Sequence, residues 1–169
     1  TPEHYNRMYR ILKRDIPVEI EVEVRNSHGE RVTEANNVLG EIRGTDLADE
    51  VVMLGAHFDT WHASPNASDN TSGVAVMLEA MRILKEVLPQ PQRTILVAHW
   101  GGEEQGTNGS LAFGEDHPEV IDGLQAGFNQ DNGTWRVQFF KMQDFPGAAE
   151  NFNRWIAELP RDLTGHMET

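Results

Sequence analysis

Residues 51–59 read VVMLGAHFD, so an uninterrupted apolar run leads directly into His57 and Asp59. An apolar run of this length is typical of a strand that is buried on both faces, as in a parallel sheet. Open α/β sheets bind their ligands beyond the carboxyl ends of the strands. The stretch therefore predicts a central strand at 51–56 that delivers a histidine and an aspartate to a binding edge.

The segments on either side of this strand predict an alternation of strands and helices. Further strands are expected at 18–25, 37–43, 94–98, 124–129 and 135–142, and helices at 1–15, 72–87, 108–115 and 148–159. The order strand, helix, strand, helix, strand is typical of a parallel α/β sheet with helices on both faces. We therefore predict a three-layer α/β fold with a mostly parallel, mixed sheet, and a single domain over residues 1–169.

The composition excludes several classes of function. The chain has 169 residues, of which 14 are basic and 27 acidic, and its formal net charge is −13. This charge argues against nucleic acid or an anionic membrane as a partner. Cysteine is absent, which excludes disulfides and thiolate metal sites, and no apolar run is long enough to span a membrane. The start at Thr1, without a signal-peptide pattern, is consistent with an internal piece of a longer protein.

Four short clusters of histidine and acidic residues fall where a predicted strand ends or a helix begins. They are His57-Phe58-Asp59, Asp69-Asn70, Glu103-Glu104 and Asp131-Asn132. A hard divalent ion needs three or more nitrogen or oxygen ligands that converge on one point, and two ions need a carboxylate that bridges them. Each cluster alone has an ordinary explanation, such as a helix cap for Asp69. Their joint placement favours a metal site, because the ordinary explanations would have to hold independently at every cluster.

Longer sequence blocks around these clusters resemble the signature blocks of a known family. The blocks are Gly55–Asp59, Ser68–Asn70, Trp100–Gly106 and Asn129–Gly133. Together they are similar to the zinc aminopeptidase and glutamate carboxypeptidase family of di-zinc exopeptidases, most of all to its plasma glutamate carboxypeptidase-like bacterial branch. The resemblance covers nearly the whole chain and implies a zinc-exopeptidase fold.

The resemblance implies a metal-binding role for four side chains. His57 and Asp131 would bind one zinc ion, and Glu104 would bind the second. Asp69 would bridge the two ions, which requires a carboxylate because its two oxygens can serve two metals.

The resemblance also implies two residues that act beside the metals. Glu103 would be the general base, which takes a proton from the water held between the ions and passes it to the leaving amine. Asp59 would accept a hydrogen bond from the ring of His57, fixing its tautomer and making it a better ligand. The Asp69–Asn70 peptide bond would be cis, as in the family.

One zinc ligand of the family has no counterpart at a matching position. The family takes a histidine from well beyond Asp131, and the only later histidine here is His166. Its surroundings do not match the family's closing block, so we expect His166 to be a tail residue and the chain to be a C-terminally truncated catalytic domain. His99 is expected in the core, because it lies inside a predicted strand, and His62 in the loop at the mouth of the site.

The function indicated is the metal-dependent removal of a terminal residue from a peptide. The expected partners are a peptide substrate and, as a possible assembly, a homodimer, and the resemblance implies an extracellular or periplasmic location. Two alternatives remain open. One is a non-catalytic homologue or truncated module that serves binding or dimerisation; the other is a single-zinc acyl transferase of the glutaminyl cyclase type. The sequence also leaves open whether the amino or the carboxyl end of the peptide is cleaved.

Overall fold

The computed structural model describes residues 1–27, 34–62, 64–65, 67–165 and 167. The chain forms two compact units, Thr1–Glu34 and Ala35–Thr169. The expectation that residues 1–169 make up a single catalytic domain stays a prediction.

The described residues of the first unit, 1–27 and 34, include one helix. Helix α1, Pro2–Leu12, begins after Thr1, whose hydroxyl oxygen accepts a hydrogen bond from the backbone N–H of His4 at 3.4 Å. Proline suits the first turn because it has no N–H group to leave unpaired. The helix predicted at 1–15 is therefore confirmed, with an end three residues earlier.

The strand predicted at 18–25 is wrong. Among the described residues this segment pairs with no strand, and the side chains of Ile20, Val22 and Val24 are exposed. Alternating apolar and charged residues form a sheet only beside another strand, because the backbone N–H and C=O groups must find partners. The alternation in 18–25 therefore does not establish a strand in this unit.

The second unit contains a mixed sheet. Its elements in chain order are β1 (Val38–Ile42), β2 (Leu47–His57), α2 (Thr71–Val87), β3 (Arg93–Trp100), α3 (Asn108–Asp116), α4 (Pro118–Asp122), β4 (Leu124–Asn129), α5 (Ala148–Ala157) and α6 (Arg161–Thr164). The strand order is β1-β3-β2-β4, with β2 parallel to β3 and β4, and β1 antiparallel to β3. The predicted α/β fold with a mostly parallel, mixed sheet is therefore confirmed.

Strand β2 is covered on both faces, which explains its uninterrupted apolar sequence. On one face Leu54 and Ala56 pack with Met77 of α2. On the other face Val51 and Met53 pack in a cluster that includes Phe113 of α3. Successive residues of a strand point to opposite faces, so a middle layer needs apolar residues at every position. The result is the predicted three-layer arrangement.

The strand predicted at 135–142 is also wrong. The segment forms no regular strand, and Trp135 has a φ of +84° and is 92% exposed. Its apolar residues make individual contacts instead: the ring of Phe140 packs on that of Phe152 in α5, with centroids 5.3 Å apart. Helices α4 and α6 were not predicted, because elements this short show no helical periodicity.

The helices of the described residues include none that is both long enough and apolar enough to cross a membrane.

His99 lies in the core of the sheet, as expected. It is 5% exposed and stands opposite Val38 in β1 and Ala56 in β2. Neither ring nitrogen has a well-formed hydrogen bond. Burial lowers the pKa of His99 below its ordinary value, and the main chain of Ala56 offsets this only in part. The folded protein therefore favours the neutral ring.

We expect acid to destabilise the fold through His99. The unfolded chain binds a proton here below about pH 6.5, whereas the folded chain does so only at lower pH, so the free energy of unfolding falls as the pH drops through this value. The substitution His99→Leu should remove this part of the pH dependence. Urea unfolding of both proteins at about pH 8 and about pH 5.5 measures the effect. An equal loss of stability in the two proteins would contradict the prediction.

Candidate metal centre

The parallel register brings separate parts of the sequence to one edge of the sheet. In the two parallel ladders His57 stands opposite Trp100 and Gly55 stands opposite Asn129, so the three strands end at nearly the same level. The acidic residues predicted for the site follow these ends or precede α2; they are Asp59, Asp69, Glu103, Glu104 and Asp131. The sheet therefore makes neighbours of side chains that are distant in sequence.

The ring of His57 lies at the centre of this cluster. It is 2% exposed, and its Nε2 atom lies 3.0 Å from Asp69 Oδ1, 3.5 Å from Asp131 Oδ1 and 3.8 Å from Glu103 Oε2. Burial is the largest influence on the pKa of His57 and lowers it, but the charges of Asp131 and Glu103, with smaller contributions from Asp59, outweigh burial and raise the pKa above its ordinary value. One imidazole therefore faces carboxylates from three different loops.

The other ring nitrogen of His57, Nδ1, faces Asp59. It lies 3.1 Å from the main-chain oxygen of Asp59 and 3.5 Å from its Oδ1 atom. A proton on Nδ1 can be donated to the main-chain oxygen, which leaves the lone pair of Nε2 directed at the acidic cluster. The nearer acceptor is thus the main-chain oxygen of Asp59 rather than its carboxylate.

The carboxylate of Asp59 holds the turn that follows β3. Its Oδ1 accepts a hydrogen bond from the backbone N–H of Glu103 at 3.0 Å, and its Oδ2 accepts one from the N–H of Glu104 at 3.2 Å. Hydrogen bonds to a charged acceptor are stronger than neutral ones, so this pair holds the turn in one conformation. Asp59 therefore ties the end of β2 to the two glutamates, a contact that no sequence pattern predicts.

One carboxylate oxygen of Glu104 has no hydrogen-bond partner among the described residues. Its Oε1 atom is shielded from solvent and has no hydrogen-bond partner. Burial, and next the negative charge of Asp69, raise the pKa of Glu104 above its ordinary value. A cation beside this oxygen would relieve both effects.

Asn70 was not predicted to shape the site, yet it is fully buried and joins two of its loops. Its Oδ1 accepts a hydrogen bond from the N–H of Gly73 at 3.1 Å, which caps α2, and its Nδ2 donates to the main-chain oxygen of Gln130 at 2.9 Å. The Asp69–Asn70 peptide bond is cis. The amide of Asn70 therefore links the chain positions next to Asp69 and Asp131. The available sequence signal was an asparagine in front of a helix.

The donor atoms of the cluster suit a divalent metal ion. One donor atom each from His57, Asp69 and Asp131 lies within 4.8 Å of the other two. Zinc bonds to nitrogen and oxygen measure ~2.0–2.1 Å, so two donors on a tetrahedral ion stand roughly 3.3 Å apart. The separations of 3.0 and 3.5 Å from His57 Nε2 to the two aspartates are close to this value. The unpaired, shielded oxygen of Glu104 is a further reason for a cation at this edge.

Other expected or tempting ligands stand outside this three-atom group. Glu104 does not belong to it, although its carboxylate interacts electrostatically with Asp69 and His57. His62, in the loop between β2 and α2, is exposed, and His166 lies outside the described residues. Within the described part of the chain, the group that could hold a metal ion is therefore the three-atom set centred on His57.

Comparisons with known proteins point to one family. A family model described as Peptidase family M28 matches residues 37–169. Carboxypeptidase Q of Pongo abelii is 27% identical over 135 residues, which are 80% of this chain and 28% of that protein. The crystal structure of a peptidase M28 precursor from Shewanella amazonensis SB2B matches with a TM-score of 0.62 at 31% identity, over 72% of this chain and 27% of that one. A zinc aminopeptidase from Bacillus subtilis matches with a TM-score of 0.51 at 34% identity, over 56% of this chain and 23% of that one.

The chain covers only part of these relatives, 28% of carboxypeptidase Q and 27% of the precursor structure. The family match nevertheless extends over residues 37–169 and includes every side chain of the cluster around His57. The structural match to the precursor agrees with this in fold and in sequence. The chain therefore belongs to peptidase family M28, as the resemblance of its motifs implied.

Proposed function

We propose that the protein to which this chain belongs is a metal-dependent exopeptidase that hydrolyses the peptide bond next to a chain end. The main support is a carboxylate that lies beside the three possible metal ligands without being one of them. Glu103 Oε2 lies 3.8 Å from the Nε2 of His57, which is itself one of the three. A module that only binds metal needs the donor set but not the additional carboxylate. A carboxypeptidase and a zinc aminopeptidase are both among the relatives, so either end of the peptide is a candidate for cleavage.

Four side chains would hold the metal in this proposal. His57 and Asp131 would hold one zinc ion, Glu104 would hold a second, and Asp69 would be shared between them. When bound, zinc supplies Lewis acidity, which lowers the pKa of water and polarises the carbonyl of the scissile bond. The chain itself contributes the positions of the ligands, which lie after the ends of β2, β3 and β4 and at the start of α2.

Glu103 is the proposed general base. Its side chain is 30% exposed, so water can reach the carboxylate, while its backbone N–H is anchored on Asp59. The carboxylate accepts a proton from the attacking water and then donates it to the nitrogen of the leaving amine. Anchoring the backbone limits the positions that the carboxylate can take, which favours both transfers.

We also propose that the active protein is longer than these 169 residues, because the chain matches only 28% of carboxypeptidase Q and 27% of the precursor structure. The second zinc ion needs an imidazole that the described residues do not supply, and the rest of the parent chain or His166 would provide it. We further propose a peptide substrate, a possible homodimer and an extracellular or periplasmic location. The net charge of −13 disfavours nucleic acids and anionic membranes as partners.

In the parent protein, Glu103→Gln should leave zinc bound and lower turnover by ~10²–10⁴-fold. The amide keeps the shape of the side chain but cannot accept the proton. Hydrolysis of short peptides, blocked at the amino or at the carboxyl end, measures turnover, and metal analysis measures retention.

The matched control for this experiment is Glu115→Gln, the same chemical change at an exposed position on α3. It should leave turnover unchanged. Near-normal turnover in Glu103→Gln would show that the base lies elsewhere. A wild-type parent that binds zinc but cleaves no peptide would favour a non-catalytic binding module.

The 169-residue chain alone should bind zinc weakly and hydrolyse little or nothing. One site has an imidazole and two carboxylates, whereas the other has only carboxylates and shares Asp69 with its neighbour. Titration of zinc into the chain, measured by calorimetry, tests this. The substitution His57→Ala should abolish zinc binding. His62→Ala, a change of the same residue type at an exposed position, is the control. Two tightly bound ions with robust peptidase activity would contradict the prediction.

A single-zinc acyl transferase of the glutaminyl cyclase type is the second candidate. The finding in its favour is that the described residues offer one three-donor group. Such an enzyme would contain one zinc ion per parent chain and would release ammonia from a peptide with an N-terminal glutamine. Two ions per chain, together with cleavage of a peptide bond, would exclude it.

A further inference from the structure

Asn37, the residue just before β1, contacts the segment that follows the neighbouring strand β3 and carries the glutamates. Its Oδ1 accepts a hydrogen bond from the backbone N–H of Gly101 at 3.1 Å, and its Nδ2 donates to the main-chain oxygen of Gly109 at 2.8 Å. Gly101 directly follows β3, and Gly109 lies in the first turn of α3. One side chain therefore contacts both ends of the loop that contains Glu103 and Glu104.

These contacts belong to a closed ring of hydrogen bonds. The N–H of Gly109 donates to the main-chain oxygen of Gly101 at 2.9 Å, which completes the ring through the amide of Asn37. The N–H of Asn108 donates to the oxygen of Gly102 at 3.1 Å and adds a second link between the loop ends. These hydrogen bonds hold the two ends of the loop together like a clamp, and the amide of Asn37 contributes two of them.

The two glycines leave room for this approach. A Cβ atom at Gly109 would collide with Oδ1 of Asn37, and one at Gly101 would come within 2.5 Å of the main-chain oxygen of Asn36. Contacts this short do not occur between real atoms, so a larger residue would push the segment at 36–37 away. Glycine at 109 therefore leaves room for the amide of Asn37, and glycine at 101 leaves room for the main chain of Asn36.

We propose that Asn37 is a positioning residue for Glu103 and Glu104, an inference that rests on the proposed exopeptidase function. Two side chains from distant parts of the sequence anchor the loop: the amide of Asn37 at its base and the carboxylate of Asp59 at the N–H groups of the two glutamates. Anchors at both points restrict the backbone between them, and the backbone sets where the two carboxylates can reach. Asn37 touches neither metal ligand nor base and acts through the loop.

The chemistry of the clamp requires an amide. A single side chain must accept from one N–H and donate to one C=O, and a carboxamide does both. Asn37→Asp keeps the acceptor for Gly101 but places a carboxylate oxygen against the oxygen of Gly109. Asn37→Ala removes both contacts. Asn37→Asp should therefore fail to restore the loop contacts that Asn37→Ala removes.

The experiment compares Asn37→Ala with two controls in the metal-free, 169-residue chain. Asn36→Ala changes the same residue type at the neighbouring, exposed position. Val51→Ala weakens the core in the middle of β2, in the cluster that includes Phe113 of α3, and controls for general loss of stability. Backbone amide exchange of residues 101–106 should become about 5–10-fold faster in Asn37→Ala than in either control, because the two hydrogen bonds that hold the base of the loop are lost. Exchange that is unchanged, or that rises equally in Val51→Ala, would overturn the proposal.

A second measurement tests whether Asn37 acts through the base. In the zinc-loaded parent protein, Asn37→Ala should lower turnover roughly 10-fold or more. In the Glu103→Gln background the same substitution should lower turnover by a clearly smaller factor, because one of the two groups that it positions is already gone. An equal factor in both backgrounds would overturn the action of Asn37 through Glu103. A zinc-loaded parent protein that cleaves no peptide would refute the proposed function, and near-normal turnover in Glu103→Gln alone would refute Glu103 as its base. Both outcomes leave the exchange result standing, so the failures are distinguishable.

Discussion

The parallel pairing of β2 with β3 and β4 is the constraint on which the site depends. Parallel strands end at the same edge of a sheet, so His57 and the loops after β3 and β4 meet there although they are far apart in sequence. Beneath the site, Ala56 and Ala98 are completely buried and allow the strands and helices to pack closely. A register slip of one residue would turn His57 to the opposite face and disperse the cluster.

The same edge concentrates negative charge around one imidazole, and the fold tolerates this without arginine partners. The arginine ion pairs of the described residues lie elsewhere: in the first unit, on α2, and near the amino ends of β2 and β3. A fixed cation at the site would neutralise the carboxylates but would compete with a metal ion for them. Carboxylates without a positive partner, such as Glu104 with its raised pKa, leave negative charge that a divalent ion could neutralise.

Neutral amides and backbone N–H groups hold the loops of the site in place of ion pairs. Asn70 connects the start of α2 with the end of β4, and Asp59 connects β2 with the turn after β3. Asn37 closes the base of that turn from the side of β1. These contacts fix geometry without adding positive charge, which explains how an acidic cluster can be ordered by its surroundings.

The sequence by itself determined the fold class, the central strand and the identity of the clustered side chains. These features depend on local periodicity and on motif blocks, such as the apolar run before His57, which can be read over a few residues. The pairing of strands needs partners that local patterns do not contain, and for that reason the strands predicted at 18–25 and 135–142 were wrong. Only the tertiary structure decided that Asn37, Asn70 and the carboxylate of Asp59 brace the site, because each acts through hydrogen bonds to residues distant in the chain.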